Sequence, residues 1–115
     1  MTHSESVKAL LPALSKAISD MPDPKRNKKN DHFKNRYADL GAVLDCLAEP
    51  LQANGLVLTQ TMTGADCLVT TVWHCESGEW ISSTIPLRPE KPTPQGMASA
   101  ITYARRYAIK ALFGM

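Results

Sequence analysis

The sequence has few of the residues that disulfide frameworks, metal sites and nucleotide-binding loops require. Its three cysteines are an odd number without CxxC spacing, which argues against a disulfide framework or zinc knuckle and favours a reducing cytoplasm. His74 precedes Cys75, but neighbouring residues of a strand point to opposite faces, so this pair is a poor metal site. The six glycines are dispersed, and no phosphate-binding loop of the form GxxxxGKS/T is present. We therefore expect no cofactor.

Long apolar runs and paired catalytic groups are also missing. No stretch reaches the length of a membrane span, and the first residues lack the basic-then-apolar order of a signal peptide. Carboxylates such as Asp39, Glu76 and Glu79 fall at predicted helix caps and turns, whereas a two-metal nuclease needs them at converging strand ends. No base is evident beside a serine or cysteine nucleophile. These absences predict a cytoplasmic protein that is neither an enzyme nor bound to a membrane.

Charge is unevenly distributed along the 115 residues, although the net charge is only +2. Residues 21–36 carry six Lys or Arg and two Asp, and residues 95–115 carry three basic residues and no acid. Between them, residues 37–94 hold two basic and seven acidic residues. Two basic blocks separated by an acidic middle indicate an anionic partner.

Hydrophobic spacing predicts one α+β domain over residues 1–115, with elements in the order α-α-β-β-β-α. The first helix is predicted over residues 4–20, with Ser4 or Thr2 as its N-cap. Residues 22–36 are predicted to form a mobile basic loop anchored by Phe33. The second helix begins after Asp39 and ends at Gly55, with a kink or restart expected at Pro50.

Three segments, LVLTQTMT, CLVTTVWH and EWISSTIP, predict a three-stranded antiparallel sheet packed on the helices. A tight turn at Ser77-Gly78 would place an aliphatic set on the face that meets the helices and Trp73 and Trp80 on the other. The aliphatic set comprises Leu68, Val72, Ile81 and Ile85.

The final helix is predicted to start at Thr93-Pro94, after a proline-rich connection that carries Arg88 and Lys91. Arg106 lies opposite its apolar stripe, Tyr103 and Tyr107 lie along one flank, and Arg105 lies at the other edge. The stripe comprises Met97, Ala100, Ile101, Ala104, Ala108, Ala111 and Leu112.

Arginines interleaved with tyrosines are typical of single-stranded nucleic-acid binding. Phosphates attract Lys and Arg, and each unstacked base that stacks on an aromatic ring contributes about 1–3 kcal/mol. The segment TYARRY supplies this pattern, and so do Lys34, Arg36 and Tyr37 before the second helix. The alternative role for Tyr103 and Tyr107 is packing at the edge of the core.

Three motifs, in order, resemble the ERF (essential recombination function) family of phage single-strand annealing proteins. They are Tyr37-Ala38-Asp39-Leu40, then Pro50-Leu51 with Asn54-Gly55-Leu56, and finally Thr102 to Tyr107. The resemblance covers nearly all of the chain from Phe33 onward. It implies a sheet with a packing helix, DNA in a basic groove, and ATP-independent pairing of complementary single strands. Such proteins usually continue into a variable tail, so we expect a trimmed or short member, with host or phage recombination partners that would bind through the missing tail.

The resemblance also nominates DNA-binding residues, and charge adds others. Carried over from the family motifs are Lys34, Arg36, Tyr37, Tyr103, Arg105, Arg106 and Tyr107. Charge alone adds Lys25, Arg26, Lys28, Lys29 and Lys110. We expect the two basic blocks to converge on one groove that grips the backbone of single-stranded DNA, whereas Asp39 caps its helix.

Weak affinity per protomer would require several subunits on one strand, so a homo-oligomer, either a ring or a helical filament, is expected. A double-stranded RNA-binding module is one alternative, because it also runs α-β-β-β-α; its final helix normally opens with lysines, which TPQGMASA lacks. A small metal-dependent nuclease and a purely structural oligomer are the others.

Overall fold

The computed structural model describes residues 1–24, 28–30, 35–64 and 66–115, and only the backbone is described at 28–30 and 35–37. Its elements, in chain order, are β1 (Thr2–His3), α1 (Leu10–Asp20), β2 (Lys28–Asn30), β3 (Asn35–Tyr37), α2 (Leu40–Ala53), β4 (Leu56–Thr63), β5 (Cys67–His74), β6 (Trp80–Pro86) and α3 (Pro94–Phe113).

Among the described residues, the main sheet has four antiparallel strands in the order β1-β6-β5-β4, so β1 and β4 are its outer strands. The α+β class and the three predicted strands are confirmed. The strand count is corrected, because Thr2 and His3 pair with Ser82 and Ile81 as an additional short strand. A separate two-stranded ribbon joins β2 and β3.

The predicted aliphatic face of the sheet is confirmed. Leu68 pairs with Ile85 and Val72 with Ile81, and these side chains meet the helices. Trp73 and Trp80 pair on the opposite face, with ring centroids 6.3 Å apart. The buried core residues of the helices are Leu10, Leu14, Ala17, Val43, Leu47, Leu51, Ile109 and Phe113.

The start of α1 differs from the sequence-based prediction, since the helix begins at Leu10 and neither Thr2 nor Ser4 caps it. Thr2 lies in β1, and the Ser4 hydroxyl accepts a hydrogen bond from the backbone N–H of Trp80 at 3.0 Å. The Glu79 carboxylate, from the turn before β6, instead accepts hydrogen bonds from the N–H groups of Ala9 and Leu10 at 2.9 and 2.8 Å. A carboxylate at a helix N-terminus satisfies free N–H groups and favours the helix dipole.

The predictions for α2 are mostly confirmed. The Asp39 side chain accepts from the N–H of Ala42 at 2.9 Å, and Gly55 follows the helix with a left-handed φ of 67°. The predicted restart at Pro50 is wrong, because one helix runs from Leu40 to Ala53. Pro50 is buried inside this continuous helix.

Within the predicted mobile basic loop, residues 22–36, the backbone forms strands at 28–30 and 35–36, and the mobility of this loop stays a prediction. Backbone pairing between β2 and β3 forms there despite the like charges that argued for a loop. The predicted anchor, Phe33, lies outside the described residues.

The final helix begins as predicted, with the Thr93 hydroxyl accepting from the N–H of Gly96 at 2.9 Å and Pro94 in the first turn. The buried residues of this helix are Ala108, Ile109 and Phe113, which differ from most of the predicted stripe. Ala108 packs with Leu68 of the sheet, whereas Ile109 and Phe113 join the core beside α1 and α2. Ala111 is consequently exposed, contrary to the prediction.

Candidate nucleic-acid interface

One face of α3 brings two tyrosines and an arginine together. Tyr103, Arg106 and Tyr107 are spaced three and four residues apart, so they are neighbours on the helix surface. The tyrosine ring centroids are 4.5 Å apart with the planes tilted by 55°, and the Tyr103 hydroxyl donates to the Tyr107 hydroxyl at 3.1 Å. Tyr103 is 59% exposed and Tyr107 46% exposed, so both rings keep surface that another flat group can cover. We call these three residues the tyrosine–arginine cluster.

The Arg106 guanidinium connects this cluster to another part of the chain. Its carbon Cζ lies 5.3 Å from the Tyr103 ring centroid and 4.9 Å from that of Tyr107, which is the range of cation–π attraction. Its Nη1 donates to the backbone carbonyl of Ala38 at 3.3 Å. Arg106 therefore holds α3 against the residue that directly follows β3.

The two phenols differ in acidity because of their mutual hydrogen bond. Donating that bond is the main reason why the pKa of Tyr103 is raised, with desolvation and the nearby Tyr107 adding to it. Accepting it is the main reason why the pKa of Tyr107 is lowered, and Arg106 and Lys110 lower it further. A phenolate therefore forms first at Tyr107, beside two cations.

Arg105 points away from its neighbour Arg106. Its Nε donates to Oε1 of Gln60 at 2.9 Å, and Nε2 of Gln60 donates to the Arg105 carbonyl at 3.2 Å and to the Thr70 hydroxyl at 3.0 Å. This network ties the middle of α3 to β4 and β5. The adjacent arginines thus lie on different sides of the helix, and DNA contact by Arg105 stays a prediction.

The ribbon of β2 and β3 carries part of the first basic block and leads directly into the residue that contacts the cluster. Lys28 pairs with Tyr37 and Lys29 with Arg36, so four predicted site residues occupy two rungs of one ribbon. Ala38 follows directly and accepts the hydrogen bond from Arg106. The first and third family motifs are therefore in contact. Lys25, Arg26 and Lys34 lie outside the described residues.

A family model described as the ERF superfamily matches residues 11–115 of this chain. The chain belongs to the ERF superfamily. The match confirms the resemblance carried by the three motifs and supports a role in phage recombination and annealing. Comparison with curated proteins and with solved structures gives no match.

A groove beside the cluster extends this surface of the ERF-superfamily chain. It lies between residues 85–91 and the first half of α3, has a volume of about 770 Å³, and is lined by both cluster tyrosines together with Arg88 and Lys91. Sequence reasoning did not assign these two cations to the site, because they fall in the acidic middle of the chain. The proline-rich segment that carries them directly before α3 is the signal that could have found them.

In the part of the chain that the structure describes, no group of three His, Cys, Asp or Glu residues could hold a metal ion. Nδ1 of His74 lies 2.7 Å from the Ser77 hydroxyl in the turn after β5. Among the described helices, none is long and apolar enough to cross a membrane.

Proposed function

We propose that this ERF-superfamily protein binds single-stranded DNA and anneals complementary strands during phage homologous recombination, without ATP and as a homo-oligomer in the cytoplasm of the bacterial host. It acts by binding and not by catalysis. One observation carries the proposal: Arg106 lies against two half-exposed tyrosines and also donates a hydrogen bond to Ala38, the residue that follows the basic ribbon.

The cluster supplies the two kinds of contact that a single strand needs. Exposed rings offer a stacking surface to bases of any sequence, and the charge of Arg106 beside them attracts the phosphate next to a stacked base. Lys110, one turn beyond the cluster, adds a second cation on this helix. Bases held by stacking and backbone contacts keep their pairing edges free for a complementary strand.

The ribbon extends the positive surface from the cluster. Lys28, Lys29 and Arg36 lie on β2 and β3, directly before the contact between Ala38 and Arg106. If each protomer neutralises about five phosphates, log K falls against log salt with a slope of roughly −3.5 for single strands. Affinity of this size is weak for one protomer, so neighbouring subunits on one strand supply the rest, in a ring or a filament.

The direct test measures binding and annealing with the full chain. Fluorescence anisotropy of a labelled oligothymidine follows binding over a range of salt concentrations, and quenching of two complementary labelled strands without ATP follows annealing. We expect both activities in the wild-type protein, together with a salt-dependent slope. Mass photometry with and without oligonucleotide reports the assembly. A folded protein that neither binds nor anneals would contradict the proposal.

A matched pair of variants tests the role of the ribbon. Lys28→Gln with Lys29→Gln removes two ribbon charges, and Lys8→Gln with Lys16→Gln removes two exposed charges near and on α1. We expect the first pair to weaken binding to all sequences alike and the second pair to bind like the wild type. Equal effects from both pairs would mean that only net charge matters, and loss limited to some sequences would contradict a backbone contact.

The same assay separates the alternative functions. A double-stranded RNA module would prefer duplex RNA in competition with single-stranded DNA. A nuclease would shorten labelled strands when Mg²⁺ or Mn²⁺ is added. Assembly without DNA affinity would indicate a purely structural oligomer.

A further inference from the structure

One side of the groove is formed by residues 85–91, which we call the wall, and the other side is formed by α3. At the start of the wall, the N–H of Leu87 donates to the Asp66 carbonyl at 2.6 Å, and the Leu87 side chain is buried at 3% exposure. Further along, the N–H of Thr93 donates to the Lys91 carbonyl at 2.9 Å. Pro89 restricts the backbone between these two points. The start of the wall is therefore held against the segment before β5, and a local turn shapes its end.

Gly96 shows how closely this wall approaches α3. A Cβ atom at that position would overlap the Lys91 carbonyl oxygen and crowd the Thr93 hydroxyl. Only glycine accepts this approach without moving the wall. The groove thus depends on a specific residue of the first turn of α3.

The chemistry of the lining fits a nucleotide chain. Arg88 and Lys91 are exposed on the wall, with one acid, Glu90, between them. Apolar side chains form much of the remainder, and Tyr103 lines the opposite side. The volume of about 770 Å³ falls in the range of about 300–1,000 Å³ typical of small-molecule sites, so a base and its sugar can enter.

The groove is continuous with the tyrosine–arginine cluster, because both cluster tyrosines also line it. We propose that the bound single strand runs from Arg106 across the tyrosines into this groove, where a base stacks on Tyr103 and its phosphates contact Arg88 and Lys91. The inference rests on the proposed function and adds a second binding segment to it. The ligand is single-stranded DNA, held through its backbone and one base face.

Removing the two wall cations tests this path. Arg88→Gln with Lys91→Gln changes only exposed side chains, so the fold should persist, and Lys8→Gln with Lys16→Gln is the charge-matched control. Losing two phosphate contacts should make the salt slope shallower by about 1.4, which is roughly 25-fold weaker binding at 0.1 M salt when extrapolated from 1 M. The control should keep the wild-type slope.

A second pair of variants places one negative charge inside or outside the groove. Ser99 lines the groove and is exposed, whereas Ser15 is exposed on α1. Ser99→Glu should weaken binding at least as much as the loss of one cation, and Ser15→Glu should not. In parallel, ultraviolet cross-linking of an oligonucleotide containing 5-iodouracil, followed by mass spectrometry, should attach the base to Tyr103.

The outcomes distinguish this inference from the function on which it rests. Wild-type protein that fails to bind single-stranded DNA contradicts the proposed function itself. In a second outcome, the wild-type protein binds DNA while the Arg88 and Lys91 double variant keeps the wild-type salt slope and Ser99→Glu has no effect. That result would overturn the proposed path through the groove and leave the cluster and ribbon as the site. Preference for duplex RNA in the same assay would overturn both.

Discussion

Replacing Tyr103 by alanine should separate stacking from the structural roles of the cluster. The ring is 59% exposed, so most of its surface is available to a base. Loss of one stacked base costs about 1–3 kcal/mol, which corresponds to binding weakened between roughly 5-fold and 150-fold. Tyr103→Phe keeps the ring and loses only the 3.1 Å hydrogen bond to Tyr107, so it should bind within about twofold of the wild type.

The same substitution has a calculable effect on stability. Tyr103→Ala removes an aromatic pair worth about 0.5–1.5 kcal/mol and one exposed cation–π contact with Arg106 worth about 0.5–1 kcal/mol. A free-energy loss of about 1–2.5 kcal/mol lowers the melting temperature by several degrees or more in a chain of this size. Binding must therefore be measured well below the melting temperature of the variant.

The assay is anisotropy of a labelled oligothymidine at low salt, with circular dichroism melting of each variant. Alanine should weaken binding strongly while phenylalanine does not. The reasoning is refuted if the folded alanine variant binds like the wild type, because the exposed ring would then have no part in binding. It is also refuted if phenylalanine loses as much as alanine, because the hydroxyl and not the ring face would then matter.

Three further predictions concern the acidity of Tyr107, the capping of α1 and the half-buried network of Gln60. Because the pKa of Tyr107 is lowered from 10.0, its phenolate adds negative charge beside Arg106 as the pH rises, so DNA affinity should fall on the alkaline side and Tyr107→Phe should flatten that fall in anisotropy titrations. Glu79→Ala should destabilise the protein by about 1–2 kcal/mol in urea unfolding through loss of the acceptor at α1, whereas Glu76→Ala should leave stability unchanged. Gln60→Ala should cost about 1–3 kcal/mol because Arg105 loses its acceptor, and equal stability to the wild type would remove the structural role of this network.

Local signals made the helix starts of α2 and α3 predictable. Asp39 and Thr93 accept hydrogen bonds from N–H groups only three residues further along, so the sequence alone contains both partners. The faces of β5 and β6 were also predictable, because alternation assigns Val72 and Ile81 to one side. The predicted two-residue turn at Ser77-Gly78 is wrong, since the N–H of His74 donates to the Glu79 carbonyl around a longer turn, but the resulting shift of two residues leaves the faces unchanged.

Contacts between distant segments were not predictable in this way. Glu79 caps α1 from 69 positions away in sequence, and no local pattern points to it. The strand at Thr2 exists because β6 offers backbone groups to pair with, and not because of its own composition. The sequence-based prediction likewise grouped Arg105 with Arg106. In the structure, β4 packs near α3, and Arg105 donates a hydrogen bond to Gln60 of that strand.

The outer strand β4 has a consequence for how the protein behaves when concentrated. Its eight residues contain neither a charged side chain nor a proline, and on its far side no strand of the described chain pairs with it. Edge strands usually carry lysine, proline or a bulge, because an exposed edge without them can pair with a strand of another molecule. Salt concentration, protein concentration and the time between purification and measurement are therefore variables to control. Val57 is 46% exposed on this strand, so Val57→Lys should reduce pairing between molecules at this edge.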